Sequence, residues 1–170
     1  EAHYVTARLE KDFDVTVITQ NGDDFHQRAG SSKVIHLHGE ALKNASTLHP
    51  YIPIAIDQEN PDIRIGDKAP DGSQIRPYVI FFNEDLQYDI WKSAVQAIRE
   101  ADMMVIVGCS LKVSPAAEMV EELSEEASLV VIDPADPPFP IKRTYAHLKL
   151  PASKSLKIME ETLLEQTKLE

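Results

Sequence analysis

The sequence predicts an α/β protein: a doubly wound parallel sheet interrupted by a small inserted module. Three observations predict it. Short β-branched runs such as "DVTVIT", "DMMVIVG" and "LVVID" alternate with amphipathic helical patterns. Two of those runs are almost continuously apolar, as strands buried on both faces of a parallel sheet are. Between Glu40 and Gln74 the alternation dissolves into Pro, Gly, Asn and Asp, a stretch too long for an ordinary connection.

Each element has its own warrant. "AHYVTARLEKDF" carries Tyr4, Ala7 and Arg8 at helical spacing. "DVTVIT" is a strand entered directly from it, and "DDFHQRAG" gives one or two helical turns stopped by Gly30. "KVIHL" is a second strand. In the middle stretch "YIPIAID" is the only strand-like piece, and "APDGSQIRP" is turn chemistry. "RPYVIFF" reads as a strand begun by Pro77, where a missing N–H does little harm. "QYDIWKSAVQAIREA" places Ile90, Trp91, Ala94, Val95 and Ile98 on one helical face. After the strand "DMMVIVG", "PAAEMVEELSEEA" is the next helix, with Pro115 near its first position. "LVVID" is closed by the Pro-rich "PADPPFP"; "TYAHLKL" is a last strand and "SKSLKIMEETLLEQTKL" the terminal helix. The sheet domain is therefore expected over 1–39 and 77–170, with the module at 40–76.

A chain of 170 residues, 43% hydrophobic and 26% charged, can bury one core without staples. No apolar run nears the roughly 20 residues of a membrane span, and no signal peptide opens the chain. The single cysteine, Cys109, excludes an internal disulfide and a multi-cysteine zinc site, which suits a reducing cytoplasm. A net charge of -11 argues against nucleic acid and would suit lysine-bearing peptides, although most acidic surfaces serve solubility. A helix pattern already runs at Ala2, so the chain is expected to begin inside a larger domain.

Ligands of such sheets sit beyond the carboxyl ends of the strands. Gln20, Asn21, Asp23, His38, Gly108, Cys109, Ser110 and Asp133 all follow predicted strand ends, so one crevice could gather them. The amides of Gln20 and Asn21 suit a sugar hydroxyl or a carboxamide, or equally a helix cap. His36 and His38, two apart in a predicted strand, share a face. They read as a general base with a neighbour, as structural residues, or as part of a metal site needing remote His49 or His147. Gly108 permits close backbone approach beside Ser110. No G-x-G-x-x-G or G-x-x-x-x-G-K-[ST] is present.

Together these pieces resemble one family. "TQNGDDFHQRAGSSKVIHLHG" is similar to the sirtuin signature T-Q-N-[IV]-D-x-L-H-x-x-A-G followed by L-H-G. "RPYVIFFNE" is similar to R-P-x-V-V-[WF]-F-G-E, and "VGCSLKVSPAA" to G-T-S-L-x-V-x-P-A. The motifs keep the family's order, and the resemblance covers nearly the whole chain. It implies a Rossmann-like domain, NAD as cosubstrate and an acyl-lysine peptide as partner. It further implies that the acyl-lysine amide oxygen attacks the ribose carbon as nicotinamide leaves, and that His38 is the base that lets the acyl group move to ADP-ribose. By the same resemblance Gln20 holds the nicotinamide ribose, and Asn21 and Asp23 orient the nicotinamide end. Ile80, Phe81, Phe82, Asn83 and Glu84 would form a strand pairing with substrate, with the Ile80 carbonyl taking the acyl-lysine N–H. Gly108, Cys109 and Ser110 would face the adenosine, with Asp133 and Ala152 near the adenine.

Gly22 stands where the family has Ile or Val, Phe25 for Leu, Asn83 for Gly and Cys109 for Thr. The four zinc cysteines expected between His38 and Arg76 are absent, so the module is expected to fold without metal. The family's first strand and Gly-rich pyrophosphate loop would lie upstream of Glu1, so a polypeptide starting there is expected to be inactive. Two other readings compete with deacylation: a non-catalytic ADP-ribose or peptide-binding module, suggested by Gly22 and Asn83, and a metal hydrolase using His36 and His38.

Overall fold

The computed structural model describes residues 1–57, 59–137 and 141–168. Helix α1 (Ala2–Leu9) leads into strand β1 (Val17–Thr19), which pairs in parallel with β2 (Val34–His36) across the short helix α2 (Phe25–Ala29). Gly30 ends α2 at φ 106°, the left-handed geometry that a glycine C-cap supplies without Cβ strain. A second parallel sheet has the order β6-β7-β8, from Met103–Val107, Ser128–Ile132 and Ala146–Leu148. Helix α3 (Tyr88–Arg99) precedes it and helix α4 (Ala152–Gln166) follows. Parallel strands joined through helices make the α/β Rossmann-like architecture that the patterning predicts.

Several elements are shorter than their patterns. The first helix stops at Leu9, and residues Glu10 to Phe13 continue as turns. "PAAEMVEELSEEA" forms only a 3₁₀ helix, Ala116–Glu122, with Pro115 as its N-cap rather than inside it. Like charges at i,i+4 (Glu118 with Glu122, Glu121 with Glu125, Glu122 with Glu126) oppose an α-helix there. Arg143 ties down the far end, donating to the carbonyls of Leu123, Ser124 and Ala127. The stretch predicted to close β7 falls partly outside the described residues, at 138–140, as does residue 169 of the terminal helix pattern.

β6 departs from its expected burial. Met103 and Val107, the first and last residues of β6, are 38% and 37% exposed, and among the described residues β6 pairs with β7. Its Ile106 nevertheless joins a core with Leu37, Ala94, Ile98, Met119, Leu129 and Val131, onto which Ile18 and Ile35 pack. A second core locks α1 to α4 through Val5, Leu9, Ile132 and Leu156. Arg8 bridges both oxygens of Glu160 across that seam, at 2.8 and 2.7 Å.

The middle of the chain holds more strand than its composition suggests. β3 (Gly39–Ser46) lies between β4 (Ile54–Ala55) and β5 (Ile75–Val79) in an antiparallel sheet. β3 alternates poorly, "GEALKNAS", so no local pattern announced it. Pro77 sits third in β5, opposite Asn44, rather than first. Because β5 is an edge strand, the missing N–H leaves no central ladder broken. Among the described residues no helix is long and apolar enough to cross a membrane.

Candidate active site

The candidate residues begin where β1 ends. Thr19, buried at the last register position of β1, faces His36 across the parallel pair. The Asn21 N–H donates to Thr19 Oγ1 at 3.1 Å, and the Asn21 carbonyl lies 3.0 Å from His36 Nδ1. The Gly22 carbonyl accepts from the Ala41 N–H at 2.7 Å, and Asp23 Oδ1 accepts from the Phe25 N–H at 3.1 Å. Four such ties fix the main chain that carries the exposed Asn21. One oxygen of Asp23 is thus engaged in starting α2, as Asp commonly is at such turns.

His38 is not in the second strand. β2 ends at His36 and His38 sits in the turn before β3, so the shared-face argument for the two histidines does not hold. The polypeptide turns there because Gly39 adopts φ +81° and runs against β5; a Cβ at that position would lie 2.3 Å from the Tyr78 carbonyl oxygen. The half-buried His38 is fastened by its main chain, its carbonyl accepting from the Ile80 N–H at 2.9 Å. Its imidazole forms no hydrogen bond or ion pair with another described residue. The fold thus joins the His38 turn directly to the segment starting at Ile80.

That segment, predicted as strand, is a turn. β5 stops at Val79, and the Glu84 N–H closes on the Phe81 carbonyl at 3.0 Å. Asn83 lies at φ 70°, in the left-handed region, where Asn is the best tolerated side chain after Gly. This accounts for the exchange at Asn83: the position needs the conformation more than it needs an absent side chain. Asn83→Ala is therefore expected to destabilise by about 1 kcal/mol, with Asn83→Gly neutral or better, in chemical denaturation. An Ala variant as stable as wild type would contradict that conformation.

Glu84 does not reach outward from the turn. Its carboxylate takes both nitrogens of Arg76, at 2.5 and 2.8 Å, and the Phe81 N–H at 2.9 Å. The Arg76 guanidinium, also 4.4 Å from the Phe81 ring centre, holds the Glu84 carboxyl down at about 2. Because the folded value lies below the unfolded one, this stabilisation is present above the ordinary carboxylate range near 4.5 and is lost as pH falls toward 2. Arg76→Met should cost about 1.5–3 kcal/mol at pH 7 and much less at pH 2, read by urea denaturation at both pH values. An equal cost at the two values would mean packing, not charge, holds the turn. Phe82 stands 92% exposed at its tip.

Gly108 follows β6 at φ +56°, with no atom within 4 Å of where its Cβ would point. Cys109 is half-buried and Ser110 exposed. Gln20 Nε2 donates to Cys109 Sγ at 3.4 Å, so the ends of β1 and β6 meet although their strands belong to different sheets. Asp133, after β7, caps the Ala135 N–H with Oδ1 at 2.8 Å while its carbonyl lies 2.9 Å from His147 Nε2. Ala152 opens α4 and packs into the second core. His147 pairs with Asp136, and among the described residues no group of three or more His, Cys, Asp or Glu side chains could hold a metal ion. Dialysis against a chelator is expected to leave the melting temperature unchanged; stoichiometric zinc in purified protein would contradict this.

The Sir2 family model matches residues 1–115. An NAD-dependent protein deacylase of Bacteroides thetaiotaomicron is 40% identical over 165 residues, covering 95% of this chain and 70% of that protein. One of Helicobacter pylori is 40% identical over 134 residues, covering 79% of this chain and 56% of its own length. The chain thus spans a little over half to about two-thirds of these relatives. A solved complex of a Sir2 homologue with NAD superposes at TM-score 0.82 with 29% identity, covering 97% of this chain and 64% of that one. A Sir2 complex with a p53 peptide and NAD gives 0.77 and 32%, covering 96% and 70%.

Proposed function

This chain belongs to the Sir2 family, and from that premise we propose that the intact protein removes acyl groups from protein lysine side chains, consuming NAD and giving nicotinamide and O-acyl-ADP-ribose. The observation that carries the proposal is the 2.9 Å bond between the His38 carbonyl and the Ile80 N–H, which ties a histidine turn to the segment expected to meet a peptide. The main chain, not the imidazole, bears the load there, which leaves the ring available for proton transfer.

Two features of the crevice suit NAD. The open space at Gly108 lets a ligand approach the backbone closely, and the Gln20–Cys109 contact brings the ends of β1 and β6 to one place. In this reading Gln20 holds the nicotinamide ribose, Asn21 and Asp23 orient the nicotinamide end, and Gly108, Cys109 and Ser110 face the adenosine, with Asp133 and Ala152 beyond. When bound, NAD would supply the ribose carbon that bonds to the acyl-amide oxygen as its bond to nicotinamide breaks, one water being consumed as the lysine amine is released. His38 takes a proton from a ribose hydroxyl, and the Ile80 carbonyl accepts from the acyl-lysine N–H, while the Ile80 and Phe81 N–H groups and the Phe81 carbonyl are engaged in the turn. Recognition through backbone pairing demands little of the peptide sequence.

The test incubates the intact protein with NAD and an acetyl-lysine peptide, following nicotinamide and O-acetyl-ADP-ribose by mass spectrometry. Both products are expected, in equal amounts. NAD binding without nicotinamide release from any acyl peptide would replace deacylation by a binding role.

A further inference from the structure

We infer that His36 is a positioning residue for the loop Asn21 to Asp23, acting as one half of a clamp whose other half is Thr19. The two are register partners at the end of the parallel pair β1–β2. Thr19 Oγ1 receives the Asn21 N–H, and His36 Nδ1 meets the Asn21 carbonyl, so both main-chain groups of one residue are held by one cross-strand pair.

The ring is oriented by a third residue. Gln27 Nε2, on α2, lies 2.6 Å from His36 Nε2. An amide nitrogen only donates, so His36 Nε2 accepts, Nδ1 carries the proton, and Nδ1–H donates to the Asn21 carbonyl. The chain from α2 through the imidazole to Asn21 thereby sets the tautomer that the clamp needs. His36 touches Asn21 through its backbone and acts on ligand only through that residue.

The consequence rests on the proposed function, because it concerns the residue assigned to the nicotinamide end of NAD. Releasing the carbonyl of Asn21 leaves its side chain without a fixed origin, a loss comparable to one hydrogen bond's worth of binding, about tenfold. Replacement by Asn, whose amide nitrogen falls near the place of imidazole Nδ1, should restore the bond to Asn21. Replacement by Gln, whose amide reaches toward the place of Nε2, should not.

The experiment uses the intact protein and its His36→Ala, His36→Asn and His36→Gln variants. NAD is titrated calorimetrically, the steady-state constants are measured with an acetyl-lysine peptide, and melting is recorded for each. The expected result is NAD affinity and kcat lowered about tenfold in H36A and H36Q, within about twofold of wild type in H36N, and peptide KM unchanged throughout. Equal NAD affinity in all four proteins overturns the inference, as does a loss of melting temperature with unaltered binding and kcat. Failure of H36N to exceed H36A also overturns it. If wild type releases no nicotinamide the proposed reaction falls, while the calorimetric ranking still decides the role of His36. Should H36A fail to fold, the contrast between H36N and H36Q decides it alone.

Discussion

His38→Ala in the intact protein is expected to lower turnover with NAD and an acetyl-lysine peptide by about 10²–10⁴, the range that loss of a positioned general base produces. Folding should barely change. The main chain of His38 is bonded to Ile80, and its ring bonds to no described residue, so truncation removes no structural hydrogen bond. NAD affinity should hold within a few-fold, because the ring acts on a hydroxyl rather than gripping the dinucleotide. The companion variant His36→Ala should lose about tenfold through Asn21. Equal losses at the two positions, or near-normal turnover in His38→Ala, would remove His38 from the chemistry.

Gly39→Ala should cost about 3–5 kcal/mol of stability and abolish activity together. Two penalties combine: a side chain at φ +81°, and a Cβ placed 2.3 Å from the Tyr78 carbonyl oxygen and 2.9 Å from Val79 Cα. Both colliding atoms are backbone of β5, so relief requires the β3–β5 pairing at Gly39 and Val79 to open. That opening also breaks the neighbouring bond from Ile80 to His38. The cost is a large share of a domain's usual 5–15 kcal/mol. Urea denaturation measures it; a loss under about 1 kcal/mol would show that β5 yields more easily than its pairing implies. Family likeness marked the His-Gly pair from the start, but the demand for glycine comes from a contact 39 residues downstream.

The residues that misled do so for a common reason. His36 and His38 look like neighbours on one strand face, yet the strand ends between them because Gly39 turns the chain into a different sheet. Glu84 looks like a group offered to substrate, yet Arg76 holds it inside the turn. Asn83 looks like an obstruction until its φ of 70° is known. In each case the side chain's identity was plain, and what decided its role was a backbone angle or a partner several residues away.

What the sequence by itself determined is local. Helical spacing located α1, α3 and α4, the Gly30 stop ended α2, and β-branched runs marked β1, β2, β6 and β7. These signals arise from one turn or one pleat of chain, so each is complete within a few residues. The strand-end motifs likewise marked Gln20, Asn21, His38 and Gly108 as candidates. Only the tertiary structure decided what depends on register between distant segments. It decided that β3 exists, that Thr19 and His36 stand opposite each other around Asn21, and that Gln20 meets Cys109. The first two follow from backbone pairing, which uses the same N–H and C=O groups at every residue and so leaves no residue-specific mark in the sequence; the third joins strand ends from different sheets, which no local pattern relates.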